Sequence, residues 1–521
     1  MNCRHGVARR WASRVALSAA VGSTLVLPMV AQSQNVPHQS AHRSANGGGV
    51  GGQALPKGGR FEPRVEMGMQ YASNITLVDN SQDQVNTAGL ELAPGVYASY
   101  ASDRLTAALD YSLISRTWQN SAFNDLAQSL EANGTWAVAE DLLYMSAEAG
   151  YDDAVINPSA GLNYGNQGFF GLSNLAERAT ASVSPTLRKR FNDFEAIASF
   201  KYARVWYLDS GAGTSSTPGF FTDDDSVDKD AKISFGTTRT ASKIFGRIFY
   251  ESQRTEYSRS LPYRNERAGV DGGYSFLRTL AVVGEAGRES SLDQSTTAGA
   301  FGSNFWTAGL RWAPNRSSSA ELRFGHRFFG RTYFAVITHQ ARFLSFDASY
   351  TESPQVESRL LSSDQFEPGN LPTSIPPGLD FGLINSAPYV SKDMRLGITA
   401  RGSRTTIRLS SYQSKRAYLR QTLGNEQGSG VTLSASRRLA PNTTIDLSAD
   451  YAEYQRTIST LELVGATAAR SNDTQFLARA NRSFGPRVTA SLEAGLLNRT
   501  GDTTYDGWWL GLRGRWSPAA H

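Results

Sequence analysis

The sequence predicts an all-β chain, closed into an antiparallel outer-membrane β-barrel of about 22 strands (range about 18–24). Three observations predict it: an export signal at the start, long segments that alternate apolar and polar residues, and connections that are alternately short and long. After Val30 no apolar run is long enough for a transmembrane helix, so any crossing must be made by strands.

Residues 1–33 read as a cleavable signal. Arg4, Arg9, Arg10 and Arg14 precede an apolar stretch from Val15 to Val30, and Ala31 and Ser33 offer small side chains at two cleavage points. The only cysteine, Cys3, would leave with the signal, so the mature chain needs neither disulfides nor reducing conditions. Loss of the four arginines takes the formal charge from +5 to about +1, which excludes no class of partner. Lysine supplies only eight of the 52 basic residues. Arginine's rigid fork suits a polar passage or an anionic lipid sugar, and a GC-rich genome would produce the same bias.

Residues 34–60 are rich in Gly, Ser, Asn and Gln and bury too little apolar surface to order themselves, which predicts a flexible periplasmic lead-in. Their glycine run lacks the GxxxxGK[ST] spacing of a phosphate loop.

Residues 61–516 form the expected transmembrane barrel, and residues 517–521 a short tail. Leu105, Ala107, Leu109, Tyr111 and Leu113 alternate with Thr106, Asp110 and Ser112. Thr443 to Tyr451 and Val488 to Leu496 repeat the pattern. A period of two over this length is a strand with one apolar and one polar face, and each segment meets the roughly 9–11 residues a tilted crossing needs. Short polar connections stand at Ala101 to Asp103, Glu140 to Asp141, Phe191 to Asp193, Thr238 to Thr240, Arg278, Pro314 to Arg316, His339 and Gln340, Gly402 to Ser403, Pro441 to Asn442, and Phe484 to Pro486. They alternate with longer segments such as Ser159 to Leu175, Asp209 to Asp228 and Thr351 to Ser391, giving one short rim and one long.

Trp118, Trp136, Trp206, Tyr207, Trp306, Trp312, Trp508, Trp509 and Trp516 cluster at strand ends and are expected to form the interfacial girdles. The segment from Trp508 to Trp516 resembles the terminal strand shown to the barrel-insertion machinery, except that residues 517–521 overhang it. Outer-membrane lipids, lipopolysaccharide and that machinery are the expected partners, with no nucleic acid.

Chemistry of the hydrolytic kind is poorly supported. Past the signal the histidines are His38, His42, His326, His339 and His521, and only His326 sits on a strand away from a tail or turn. Its parity with Leu322 and Phe324 turns it outward, and no triad is identifiable. The run Asp223, Asp224, Asp225, Asp228 and Asp230 lacks calcium-loop spacing and reads as a solvated loop. No cofactor or metal is expected, nor catalysis.

The polar parity instead supplies a lumen. Arg404, Arg408 and Arg416 share a face with Tyr412, and Arg323 shares one with Arg327. Asp110, Asp347, Asp446, Asp450 and Glu493 oppose them in charge. In a wide lumen this set would focus anions or sugars; in a narrow one it would form internal ion pairs, and sequence leaves both readings open.

Tyr71, Ala72, Ser73, Asn74 and Ile75; Pro94 and Gly95; Asp110, Tyr111 and Ser112; Glu140, Asp141, Leu142 and Leu143; Gly325 to Gly330 with Tyr333; and Ala348, Ser349 and Tyr350 follow one another along the chain. Through them the chain resembles the outer-membrane barrels associated with PEP-CTERM and exopolysaccharide gene sets, described as β-barrel porins. Ser73 stands where the signature has aspartate, so no role of that carboxylate carries over. The resemblance implies a porin-like conduit or a component of polysaccharide export, with export proteins as partners. The alternatives are a non-conducting accessory barrel and, more remotely, a lipid- or glycan-modifying enzyme.

Overall fold

The structure, a computed structural model, describes residues 58–79, 83–155, 175–210, 224–237, 243–290, 301–356, 358–359, 387–419, 425–457, 469–501 and 504–518. The expected signal and most of the expected lead-in lie outside these residues. Alternation over segments this long yields strands, and here they are β1 (Gly58–Ala72), β2 (Thr87–Ala101), β3 (Leu105–Trp118), β4 (Asp125–Ala139), β5 (Leu143–Val155) and β6 (Leu175–Phe191). Next come β7 (Phe194–Ser210), β8 (Ser226–Thr237), β9 (Ile244–Tyr257), β10 (Tyr263–Leu277) and β11 (Leu280–Ser290). The second half begins with β12 (Phe301–Asn315), β13 (Ser318–Arg327), β14 (Gly330–Gln340), β15 (Leu344–Gln355), β16 (Tyr389–Arg401) and β17 (Thr405–Tyr418). It ends with β18 (Asn425–Ala440), β19 (Thr443–Thr457), β20 (Ala469–Ser483), β21 (Val488–Gly501) and β22 (Tyr505–Trp516).

Each strand pairs antiparallel with its sequence neighbours, and β1 pairs with β22 from Val65↔Trp516 to Ala72↔Trp509, which closes the sheet. The chain is therefore a closed 22-stranded barrel of the outer-membrane type. β1 starts at Gly58, inside the stretch expected as lead-in, because β2 continues to Ala101 and offers Gly58, Gly59 and Arg60 partners.

The expected short connections lie between β2 and β3, β4 and β5, and so on to β20 and β21, on what becomes the periplasmic rim. The one around Thr238 falls outside the described residues. The opposite rim also holds short connections: residues 502–504 join β21 to β22, and only Phe328 and Phe329 join β13 to β14, their rings set edge to face with centroids 5.1 Å apart.

Strand parity separates two chemistries. Met67, Val270, Phe324 and Leu512 point outward and are each more than half exposed, as lipid-facing side chains are in a barrel taken without its lipid. Trp206, Trp306 and Trp508 share that outward face near the long-loop rim, while Trp136, Trp312 and Trp516 share it near the short-turn rim. These six form the two girdles. Trp118, Tyr207 and Trp509 do not join them, because their parity points inward. Trp118 and Trp509 are 4% exposed and pack with Ala72, Ile75, Leu497 and Tyr505 into an apolar knot inside the upper barrel. Glycine makes room for both rings: a Cβ on Gly89 would lie 2.5 Å from Trp118, and one on Gly495 would lie 2.1 Å from Trp509.

Placing a cation on the lipid face tests this assignment. Val270→Arg, at the middle of β10, should lower stability by about 2–4 kcal/mol in urea titrations of protein folded into vesicles. Ser275→Arg, on lumen parity of the same strand, should cost less than half as much.

Candidate functional site

The inward parity builds a wall of charge, and most of that charge is matched. Arg327, 8% exposed, donates Nε and Nη2 to Glu289 Oε2 at 3.0 and 2.6 Å, and the Phe328 N–H donates to the other oxygen at 2.9 Å. Arg323 donates Nε to Glu321 Oε1 at 2.6 Å and lies 3.5 Å from Asp271. Arg311 reaches the second oxygen of Glu321 at 2.6 Å. Asp110 accepts from Arg64 Nη1 at 2.6 Å. Glu493 receives Nε and Nη2 of Arg479 at 2.8 and 2.6 Å and the indole N–H of Trp509 at 3.1 Å. Asp446 accepts from Asn481 at 2.9 Å. Arg416 is nearly buried, 4.0 Å from Glu426, whose Oε2 accepts the Tyr418 hydroxyl at 3.1 Å.

Other expected lumen residues fall differently. Asp450 faces inward opposite Thr432 and Gln475. Tyr412 is buried over Gly430, where an added Cβ would sit 2.5 Å from its ring. Arg404 is not on the strand wall: it occupies the β16–β17 turn and is exposed there, since β17 begins one residue later. Arg408 faces the lumen without a hydrogen-bond partner for Nε or Nη1 among the described residues. Arg395 on β16 stands opposite Tyr412 with no carboxylate bridge among the described residues, Arg401 ends the same strand on the same face, and Asp347 on β15 is the acid that acts on Arg408. The two sequence readings thus divide by sector. Ion pairs fill most of the wall, and β16–β17 presents open cations.

Several functional side chains were not singled out from sequence. Glu289, 0% exposed, and Arg499, 0% exposed, are the most buried acidic and basic side chains of the wall among the described residues. Their strand parity marks them as inward, but nothing local distinguishes them from exposed lumen charges. The seam carries another unforeseen network: Glu91 bridges Arg116 at 3.2 Å and Arg513 at 3.1 Å, joining β2 to β3 and β22.

The segment after β15 enters the lumen. Ser358 donates to Asp228 Oδ1 at 3.3 Å, and Arg359 binds Asp230 bidentately, Nη2 to Oδ2 at 2.8 Å. Asp228 and Asp230 face inward from β8, seven strands away around the wall, so this contact spans the interior. Val356, at the root of the segment, is fully buried. Residues 360–386 of the long connection, including its prolines from Pro368 to Pro377, lie outside the described residues.

That contact corrects the reading of the aspartate run as a solvated loop. Asp228 also accepts the Thr255 hydroxyl at 2.5 Å, Asp225 accepts the Tyr207 N–H at 3.1 Å, and Asp224 accepts from Ser258 Oγ at 2.6 Å and the Arg259 N–H at 2.8 Å. Asp223 is outside the described residues. Burial alone would raise the Asp224 carboxyl. Donors from Ser258 and Ser260 and the N–H groups of Arg259 and Ser260 outweigh it and hold the group below its ordinary 3.8.

The histidines offer little chemistry. His326 is exposed on the outward face between Trp306 and Arg331. His339 is the penultimate residue of strand β14 rather than lying between strands, its Nδ1 2.8 Å from Ser318 Oγ, and among the described residues no carboxylate orients the ring.

No protein-family model matches the chain, and no curated protein matches it in sequence. Solved structures do match. The ferric enterobactin receptor PfeA of Pseudomonas aeruginosa aligns at 8% identity over 89% of this chain and 81% of that one, with a TM-score of 0.47. The copper transporter OprC aligns at 10% identity over 89% and 82%, with a TM-score of 0.38. OmpT, an outer membrane protein of Vibrio cholerae, aligns at 8% identity over 89% and 99%, with a TM-score of 0.32.

Glu289→Ala should strand Arg327 as a buried, unmatched cation and cost about 3–5 kcal/mol in denaturant unfolding, with Glu289→Gln in between. For Asp224 the depressed folded-state value means its bonds stabilise the rim above pH 3.8 and lose that contribution as pH falls through the folded value. Hydrogen exchange at Ser258 and Arg259 should therefore be faster in Asp224→Asn than in the native chain at neutral pH. The two should converge in strong acid.

Proposed function

We propose that this outer-membrane barrel is a transport-type conduit for hydrophilic solutes, with a preference for anions, and that an acidic extracellular polysaccharide is its cargo class. The observation that carries the reading is the β16–β17 sector. Arg395, Arg401 and Arg408 face the lumen there with no carboxylate bridge among the described residues, whereas Arg323 and Arg327 on β13 are neutralised by protein carboxylates. An uncompensated cation patch on a low-dielectric wall concentrates anions and lowers their entry cost. The likeness of Tyr71 to Ile75 and Gly325 to Gly330 to barrels of exopolysaccharide gene sets supports the choice of cargo.

A second reading, a non-conducting barrel that anchors surface partners, is favoured by Ser358 and Arg359, which tie the β15–β16 connection across the interior to β8. An enzymatic reading has only the exposed His326 behind it.

Planar-bilayer recordings of folded protein separate the first two. A conduit should pass current with anions favoured over cations, and Arg395→Gln with Arg408→Gln should reduce that selectivity roughly severalfold. Arg359→Ala, which frees the segment from Asp230, should raise unit conductance. A barrel that stays silent in all three forms, with folding verified, is an anchor and not a conduit.

A further inference from the structure

The outward face of β7 to β14 carries a band of charge that lumen transport does not use. Lys229 on β8, Arg254 on β9 and Arg264 on β10 stand directly opposite one another in register. They point away from the lumen because their neighbours Asp228, Thr255 and Asn265 are buried against it. Like charges set directly across a sheet repel, so such a row needs an anion. Two carboxylates partly supply it: Glu256 meets Lys229 at 2.8 Å and Arg254 at 2.9 Å, and Glu266 meets Arg264 at 2.7 Å. The band continues with Arg204 on β7, whose guanidinium lies 4.9 Å from the centre of the Trp206 ring, and with exposed Arg288 and Arg331 on β11 and β14. None of these last three has a carboxylate partner among the described residues. On other sectors of the outer face Arg470 is matched by Glu453 at 2.7 Å and Lys392 by Glu352 at 3.4 Å.

The height of the band identifies its surroundings. On β9 the outward apolar face begins at Ile244 and includes Ile248 before it reaches Arg254. Ten residues at about 3.4 Å each, tilted by about 40°, rise about 26 Å, close to the thickness of a barrel's apolar belt. The cations therefore sit where lipid headgroups of the outer leaflet meet the protein.

We propose that this arc binds the phosphorylated glycolipid of the outer leaflet. Lys229, Arg254 and Arg264 receive a sugar phosphate, Arg204, Arg288 and Arg331 extend the contact to either side, and the acyl chains lie along Ile248 and Val270. Guanidinium forks match phosphate oxygens in pairs, and desolvation at the belt's edge strengthens each contact.

Titrating the folded full chain in lipid nanodiscs tests this, with bisphosphorylated lipid A, its dephosphorylated form and phosphatidylglycerol as separate probes. The bisphosphorylated lipid should bind at least tenfold more tightly than the other two. The triple variant K229Q/R254Q/R264Q should lose that advantage, while K392Q/K415Q on another sector retains it. Equal binding of all three lipids, or an unchanged triple variant, overturns the proposal. Should the triple variant fail to fold, R288Q/R331Q leaves the Glu256 and Glu266 pairs intact and should weaken lipid A binding about threefold; no change there is equally decisive against it.

Discussion

Hydrocarbon offers no partner to a peptide group, and the whole arrangement of this chain answers that demand. A strand edge left open in lipid would expose a row of N–H and C=O groups, so β1 must find β22. Where the regular ladder ends, the seam is extended by Ser73, whose N–H donates to the Trp508 carbonyl at 2.9 Å and whose hydroxyl accepts the Trp508 N–H at 2.7 Å. Asn74, in the left-handed region at φ 53°, then donates to the carbonyls of Val78 and Asp506 at 2.8 Å. The residue that departs from the resembled signature thus fastens the first strand to the last. Inside the same seam Glu91 ties β2 to β22 through Arg513.

With the outside given over to lipid, charges at mid-strand such as Asp271, Arg323 and Glu493 are driven inward. An inward charge still loses much of its water when neighbours crowd it, so the wall is stable only where signs alternate. Arg327 with Glu289, Arg479 with Glu493 and Arg323 among Glu321 and Asp271 obey that rule. Arg395 and Arg408 stand apart from it. That unneutralised cluster is the feature on which the proposed passage rests, and the crossing from Arg359 to Asp230 occupies part of the interior. Outside, the same electrostatic bookkeeping singles out the row at Lys229, Arg254 and Arg264, where the protein leaves charge for the membrane to balance.

Much of the fold was legible because its signals are local. Turn residues such as Pro441 and Asn442 or Gly402 and Ser403 act over two or three positions, and side-chain parity needs only a period of two. Parity also placed Asp110, Arg323, Arg327, Arg408, Tyr412, Arg416 and Glu493 on the lumen face. It failed at Arg404, one residue short of β17. Proximity to a strand end misled at Trp118 and Trp509, where the glycine beneath each ring belongs to a neighbouring strand.

Period and punctuation, properties of the chain read residue by residue, determined that this protein crosses the outer membrane with some 22 strands and which face of each meets lipid. Which arginine is neutralised, which stays open, and that Ser358 and Arg359 cross to Asp228 and Asp230 were decided only by tertiary structure. Ion pairing depends on distances between strands far apart in sequence and on the water that closure excludes, and neither quantity exists until the barrel has closed.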